Sequence, residues 1–184
     1  MVGSLPMSAS SRRALDAPEG ELVVLSRSLV DEVAEASRAS PRRRIILPFH
    51  KVESELLHRM LNVVQPDSYV RPHRHLDPPK AEAWVVLRGA LAFFTFEEDG
   101  RVRDCLALDA TGERFGVDLA PGIFHSLIAL APDTVLFEVK NGPYAPASDK
   151  SFAPWAPAEG TPEAMGYMQQ LRDEFRRRHG EASP

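Results

Sequence analysis

The 184-residue chain carries 22 lysines and arginines against 26 aspartates and glutamates, a formal charge of −4. It lacks the basic excess that binding a nucleic-acid backbone demands. With 43% hydrophobic and 26% charged residues it has the balance of one folded domain, and no stretch approaches the roughly 18 apolar residues of a membrane span.

A single cysteine, Cys105, excludes an internal disulfide, and the first twenty residues hold no signal-like apolar run. The cytoplasm is therefore the expected compartment, and neither nucleic acid nor membrane is an expected partner.

Residues 1–20, polar and aperiodic, read as a disordered leader. Ser28 as cap, with Leu29, Val30, Val33 and Ala36 at helical spacing before Pro41, predicts a helix over 28–39. From about 43 to 140 the texture changes to short β-branched and aromatic runs. Turn residues separate them about every 8 to 12 positions, as in a sandwich or small barrel.

Strands are predicted over 44–49, 60–64, 69–75, 83–87, 91–97, 102–108, 115–119, 125–129 and 135–140. Asp99-Gly100 supplies the positive φ angles of a tight turn, so the strands flanking it should pair antiparallel. After Lys140 the prolines at 143, 146, 154 and 157 predict an extended arm wrapping the β structure. Thr161 as cap, Pro162 in the first turn and arginines 176–178 in the last specify a helix over 161–180. Residues 21–160 would thus form one β domain with its first helix and closing arm.

The chemistry concentrates in histidine. Residues two apart in a strand share a face, so His73 and His75 present two imidazoles to one side while Arg74 points away. Seven residues after His75 lies Glu82, which the turn over 76–80 returns beside them. Pro121-Gly122 makes a tight turn that aims His125 inward. Three nitrogens and one oxygen suit a divalent Mn, Fe, Co, Ni or Zn better than the all-oxygen preference of Ca or Mg.

His73-Arg74-His75, Glu82 and Gly89 resemble the first cupin motif, and Gly122-Ile123-Phe124-His125 resembles the second. Asp67 and Ala129 stand where the motifs usually have glycine and asparagine. The resemblance implies a mainly β, single-domain jelly-roll barrel with a short N-terminal helix and a C-terminal helix. It also implies a metal inside, held by His73, His75, Glu82 and His125.

Over about 40–160 the chain is similar to the WbuC family of cupin metalloproteins. The likeness rests on Pro41 to Arg44, Tyr69 to His75, Phe137 to Lys140, Gly142-Pro143-Tyr144 and Asp149-Lys150. That family implies a metal-binding cupin, some members encoded among O-antigen polysaccharide genes, and a homodimer by analogy.

The alternation that aligns the histidines also puts Tyr69 and Arg71 on their face, and Lys140 follows at the barrel mouth. These three are the candidate substrate-binding residues, with Glu138 as a candidate partner for Arg71. His50 and His58 read as surface residues. Cys105 reads as an inert buried thiol, and Trp84, Phe94, Phe96 and Phe137 read as core.

Three functions follow from this set, and the residues alone do not choose among them. One is a metalloenzyme of isomerase or epimerase type acting on a small polar or sugar-derived substrate in polysaccharide metabolism. The others are an Fe(II) dioxygenase and a non-catalytic module that binds or senses a metal or small ligand.

Overall fold

Alternating side chains and regularly spaced turns give ten strands between two helices. The order is α1 (Arg27–Ala39), β1 (Arg44–Pro48), β2 (Leu57–Val64), β3 (His73–Arg74), β4 (Glu82–Arg88), β5 (Ala90–Phe96), β6 (Val102–Asp109), β7 (Gly116–Leu119), β8 (Phe124–Ala129), β9 (Thr134–Asn141), β10 (Ser151–Phe152) and α2 (Pro162–His179). The structure is a computed structural model that describes residues 12–145 and 149–180.

All nine expected strands form, with shifted ends. The strand expected over 69–75 shrinks to β3 because only His73 and Arg74 find ladder partners, His125 on β8 and Ser151 on β10. Pro72, which has no N–H to give, takes part only through its carbonyl, which accepts from the Ala153 N–H. The helix cap also moves. Ser26 rather than Ser28 accepts from the Leu29 N–H, at 3.2 Å. At α2, Thr161 takes the extended cap backbone while its hydroxyl donates to the Ala158 carbonyl instead of capping.

The strands divide into two antiparallel sheets, ordered β1-β2-β9-β4-β7 and β10-β3-β8-β5-β6. Apart from the β1-β2 and β5-β6 pairs, successive strands cross between the sheets, so that β2, β9, β4 and β7 face β3, β8, β5 and β6 in the manner of a jelly roll. Among the described residues no ladder joins the two sheets, so the expected closed barrel is an open sandwich. Asp99-Gly100 turns β5 into β6 as expected, with Gly100 at φ +89°.

Three apolar layers hold the sandwich. Trp84, Phe93, Leu91, Leu127 and Leu136 fill the space between the sheets. Val30, Val33 and Ala34 of α1 cover Leu61, Val63 and Val135 on the outer face of the first sheet. Ala164, Met168, Leu171 and Phe175 of α2 cover Phe94, Phe96 and Ile128 on the outer face of the second. Removing a buried ring such as Phe94 from such a layer costs about 3–5 kcal/mol.

Segments flanking the sheets are tied to this frame. Leu15 N–H donates to the Ile46 carbonyl at 2.8 Å, so the later part of the expected leader lies along β1, while residues 1–11 fall outside the described residues. The arm after β9 runs beside β3, and Glu159 anchors its end through Arg42 and Arg44. Among the described residues no helix is long and apolar enough to cross a membrane.

Candidate metal centre

The sandwich brings four side chains together from both of its sheets. Glu82 opens β4 in the first sheet. His73 on β3, His75 just after it and His125 near the start of β8 come from the second. The Gly122 N–H donates to the His75 carbonyl at 3.2 Å, which joins the turn before β8 to the end of β3. All four side chains are at least 96% buried, and the ligand atoms of the three histidines lie within 4.8 Å of one another.

Each imidazole is oriented by a backbone carbonyl on its Nδ1 side. His73 donates to Arg71 O at 2.9 Å, His125 to Ile123 O at 2.9 Å, and His75 to Asp149 O. A neutral ring that donates from Nδ1 carries a lone pair on Nε2. The Nε2 atoms of His75 and His125 lie 2.7 and 3.3 Å from the two oxygens of Glu82, and among the described residues both nitrogens and Glu82 Oε2 lack a hydrogen-bond donor.

Lone pairs facing lone pairs at such distances repel unless a cation stands between them. Ligands about 2.1 Å from one ion at right angles lie about 3.0 Å apart, which this spacing matches. The donor set fits a divalent transition metal.

The electrostatics prepare the same state. Burial, followed by the nearby Lys150 and His125, pushes the His73 pKa well below the ordinary imidazole value and keeps the ring neutral. Burial raises the Glu82 carboxyl; hydrogen bonds donated by His125 and His75 outweigh it and hold Glu82 well below the usual range, and a cation standing in place of those protons acts in the same direction. Desolvation by surrounding protein atoms, then Lys140, lowers the Lys150 ammonium to about 8, although the residue keeps exposed surface.

Of the other expected site residues, only Lys140 stands at the centre. Its Nζ lies 3.7 Å from Glu82 Oε1, 3.1 Å from Asp149 Oδ2 and 4.0 Å from Glu138 Oε1. Tyr69 does not share the histidine face. It packs in the layer beneath α2, edge-on to Tyr167, with its hydroxyl donating to Pro157 O at 3.0 Å. The irregular backbone before β3 breaks the alternation that would have turned it inward.

Arg71 meets Ala153 O at 3.1 Å and the Phe152 ring at 5.0 Å, so it holds the arm rather than pairing with Glu138. Arg74 points away as expected, over the Phe124 ring. Cys105 is a buried thiol that burial raises to about 11.

Several residues with no spacing signal join the site. Asp149 binds Lys80 Nζ at 2.7 Å through its other oxygen and Lys140 through Oδ2, while its carbonyl orients His75. His58, expected at the surface, is 1% exposed and stacks on His50 at 3.9 Å with Nε2 at Glu53 O. It lies beside Lys140 because β2 pairs with β9 in that register.

Two surface grooves, of about 380 Å³ beside Tyr167 and Glu174 and about 220 Å³ beside Phe49 and Phe137, lie away from the histidines. Convergence of donors, not a surface hollow, marks the site.

Comparison with known proteins gives distant likenesses. The model of a family described as a domain of unknown function, DUF6016, matches residues 25–108, less than half of the chain, with His73, His75 and Glu82 but not His125. No curated protein matches.

Among solved structures, a variant of oxalate decarboxylase from Bacillus subtilis is 20% identical over 55% of this chain and 25% of its own, with a TM-score of 0.43. The capsular polysaccharide assembling protein CapF from Staphylococcus aureus is 18% identical over 58% and 28%, with a TM-score of 0.45. A protein from Shewanella oneidensis is 14% identical over 58% and 72%, with a TM-score of 0.46. The chain spans about a quarter of the length of the oxalate decarboxylases it matches. None of these likenesses assigns it an activity.

Proposed function

We propose that His73, His75, Glu82 and His125 hold one divalent transition metal and that the protein is a metalloenzyme of isomerase or epimerase type, acting on a small, polar, sugar-derived anion. One observation carries the metal reading. Three imidazoles have Nδ1 committed to backbone carbonyls, and two of the opposite nitrogens face a buried carboxylate with no donor between them. A bound metal supplies Lewis acidity toward a substrate oxygen.

The chain's own residues supply the setting. Lys140, two positions along β9 from Glu138, places an ammonium beside the centre where it neutralises and orients a carboxylate or enolate. The inner layer of Trp84 and Phe93 closes one side of the four residues to water. The similarity to the WbuC family and its polysaccharide genes supports a sugar-derived substrate. A small molecule, not a nucleic acid, is its partner in this reading.

The test is metal content by mass spectrometry on protein purified without added metal or a histidine tag, beside a His73→Ala/His75→Ala variant. About one equivalent of a transition metal in the parent and almost none in a folded variant is expected. Iron accompanied by oxygen uptake would select the dioxygenase reading instead. A folded parent that neither contains nor takes up metal would refute the metal centre.

A further inference from the structure

Two polar side chains lie on the inner face of the first sheet, one and two steps beyond Lys140, and neither belongs to the four converging groups. Leu136, Glu138 and Lys140 share the inner face of β9, and His58, Met60, Asn62 and Val64 share that of β2. The register sets Glu138 directly between Met60 and Trp84, and Lys140 between His58 and Glu82. Trp84 in turn packs edge-on against His125, with ring centroids 5.5 Å apart. Glu138 thus borders the centre without touching it.

The hydrogen bonding of this pair is incomplete in one direction. Asn62 Nδ2 donates to Glu138 Oε2 at 3.2 Å, but among the described residues nothing donates to the buried Asn62 Oδ1. Glu138 is 6% exposed, and its Oε1 lies 4.0 Å from Lys140 Nζ, beyond hydrogen-bond length. The buried amide oxygen of Asn62 is therefore short of a donor, beside a carboxylate that Lys140 does not reach.

A ligand group that completes it must donate. It should also be uncharged, because Lys140 already places an ammonium here. Hydroxyls meet both conditions. The charges agree on the rest of the ligand. Buried Lys80 and Lys140 leave Glu82, Glu138 and Asp149 one negative charge in excess, so a divalent ion makes the interior positive by one and a monoanion restores neutrality.

We propose that Asn62 and Glu138 form a hydroxyl-recognition subsite, and that the ligand class is a small hydroxylated acid whose carboxylate reaches the four-residue centre while its hydroxyls reach Asn62 Oδ1 and Glu138. This rests on the metal reading above. It adds residues which that reading does not need.

Calorimetric titration of the cobalt-loaded full chain with D-gluconate, hexanoate and 6-aminohexanoate tests it, cobalt content being measured after dialysis. A site built to meet hydroxyls rejects the analogue without them strongly, so gluconate should bind more than about tenfold tighter than hexanoate. Asn62→Leu and, separately, Glu138→Gln should each erase most of that advantage, with hexanoate affinity and cobalt content unchanged.

Equal binding of gluconate and hexanoate by the parent overturns the subsite whether or not either variant folds. Tightest binding of 6-aminohexanoate overturns the ligand class. A parent that takes up no cobalt removes the metal reading and the subsite with it, a failure that cobalt content tells apart from the loss of selectivity alone.

Discussion

Glu159 fastens the arm to the jelly roll, and its contribution to stability should depend on pH in a defined way. Its carboxylate meets Arg42 at 2.6 and 2.9 Å and Arg44 at 2.7 Å, and Arg44 also donates to Ser68 Oγ and Tyr69 O. Burial raises the Glu159 pKa, but the two arginines outweigh it and bring it to about 2 from an ordinary 4.5. At about 1.36 kcal/mol per unit this shift corresponds to at most about 3.4 kcal/mol. The side chain is 34% exposed, so solvent screening reduces the figure to about 1–2 kcal/mol.

The folded pKa is the depressed one, so the stabilisation is complete above 4.5 and is lost as pH falls toward 2. More than about half of it is gone by pH 3. Glu159→Gln should therefore lower the melting temperature by about 2–8 °C at pH 7 and by much less at pH 3. Thermal melts of parent and variant at the two pH values decide it. An equal deficit at both, or none at pH 7, would refute the ion-pair account of how the arm is held.

Asp149→Ala strands the buried ammoniums of Lys80 and Lys140. It should cost about 3–5 kcal/mol in urea melts and weaken metal binding by about tenfold to a hundredfold in a metal titration. Gly142→Ala would drive a methyl into the Glu55 carbonyl and to within 2.8 Å of the His58 ring. A loss of about 1–3 kcal/mol is expected in the same melts, since neither neighbour is a flexible side-chain end.

The β architecture was legible because strand alternation and turn chemistry are local. Asp99-Gly100 specifies its hairpin, and the paired apolar faces of the strands specify the layers. The convergence of the three histidines and Glu82 was legible for the same reason. His73 and His75 lie two apart, Glu82 follows one turn and His125 follows another, so each position could be read from its own neighbourhood.

Where the reading failed, the missing information lay far along the chain. Tyr69 was assigned to the histidine face by extending an alternation that needs a ladder, and β3 has partners for only two residues. His58 was read as exposed because the burial comes from β9, about eighty residues later. Lys80 and Asn62 carry no spacing signal, since their partners are 69 and 76 positions away, and Asp149 meets Lys140 nine positions away along an arm whose sequence has no periodicity. The two-residue β10 is too short to leave a periodicity at all.

The carbonyl that sets the His75 ring belongs to a residue 74 positions downstream. All four converging side chains are present once the chain has reached residue 125, but His75 has no fixed direction until the arm has come back across β3. The segment that brings β10 beside β3 thus also orients a member of the site. A nascent or truncated chain ending before residue 149 would hold a full complement of donors and still present them to a cation as a loose chelator. Competence for tight binding would then report on completion of the polypeptide rather than on the presence of the histidines.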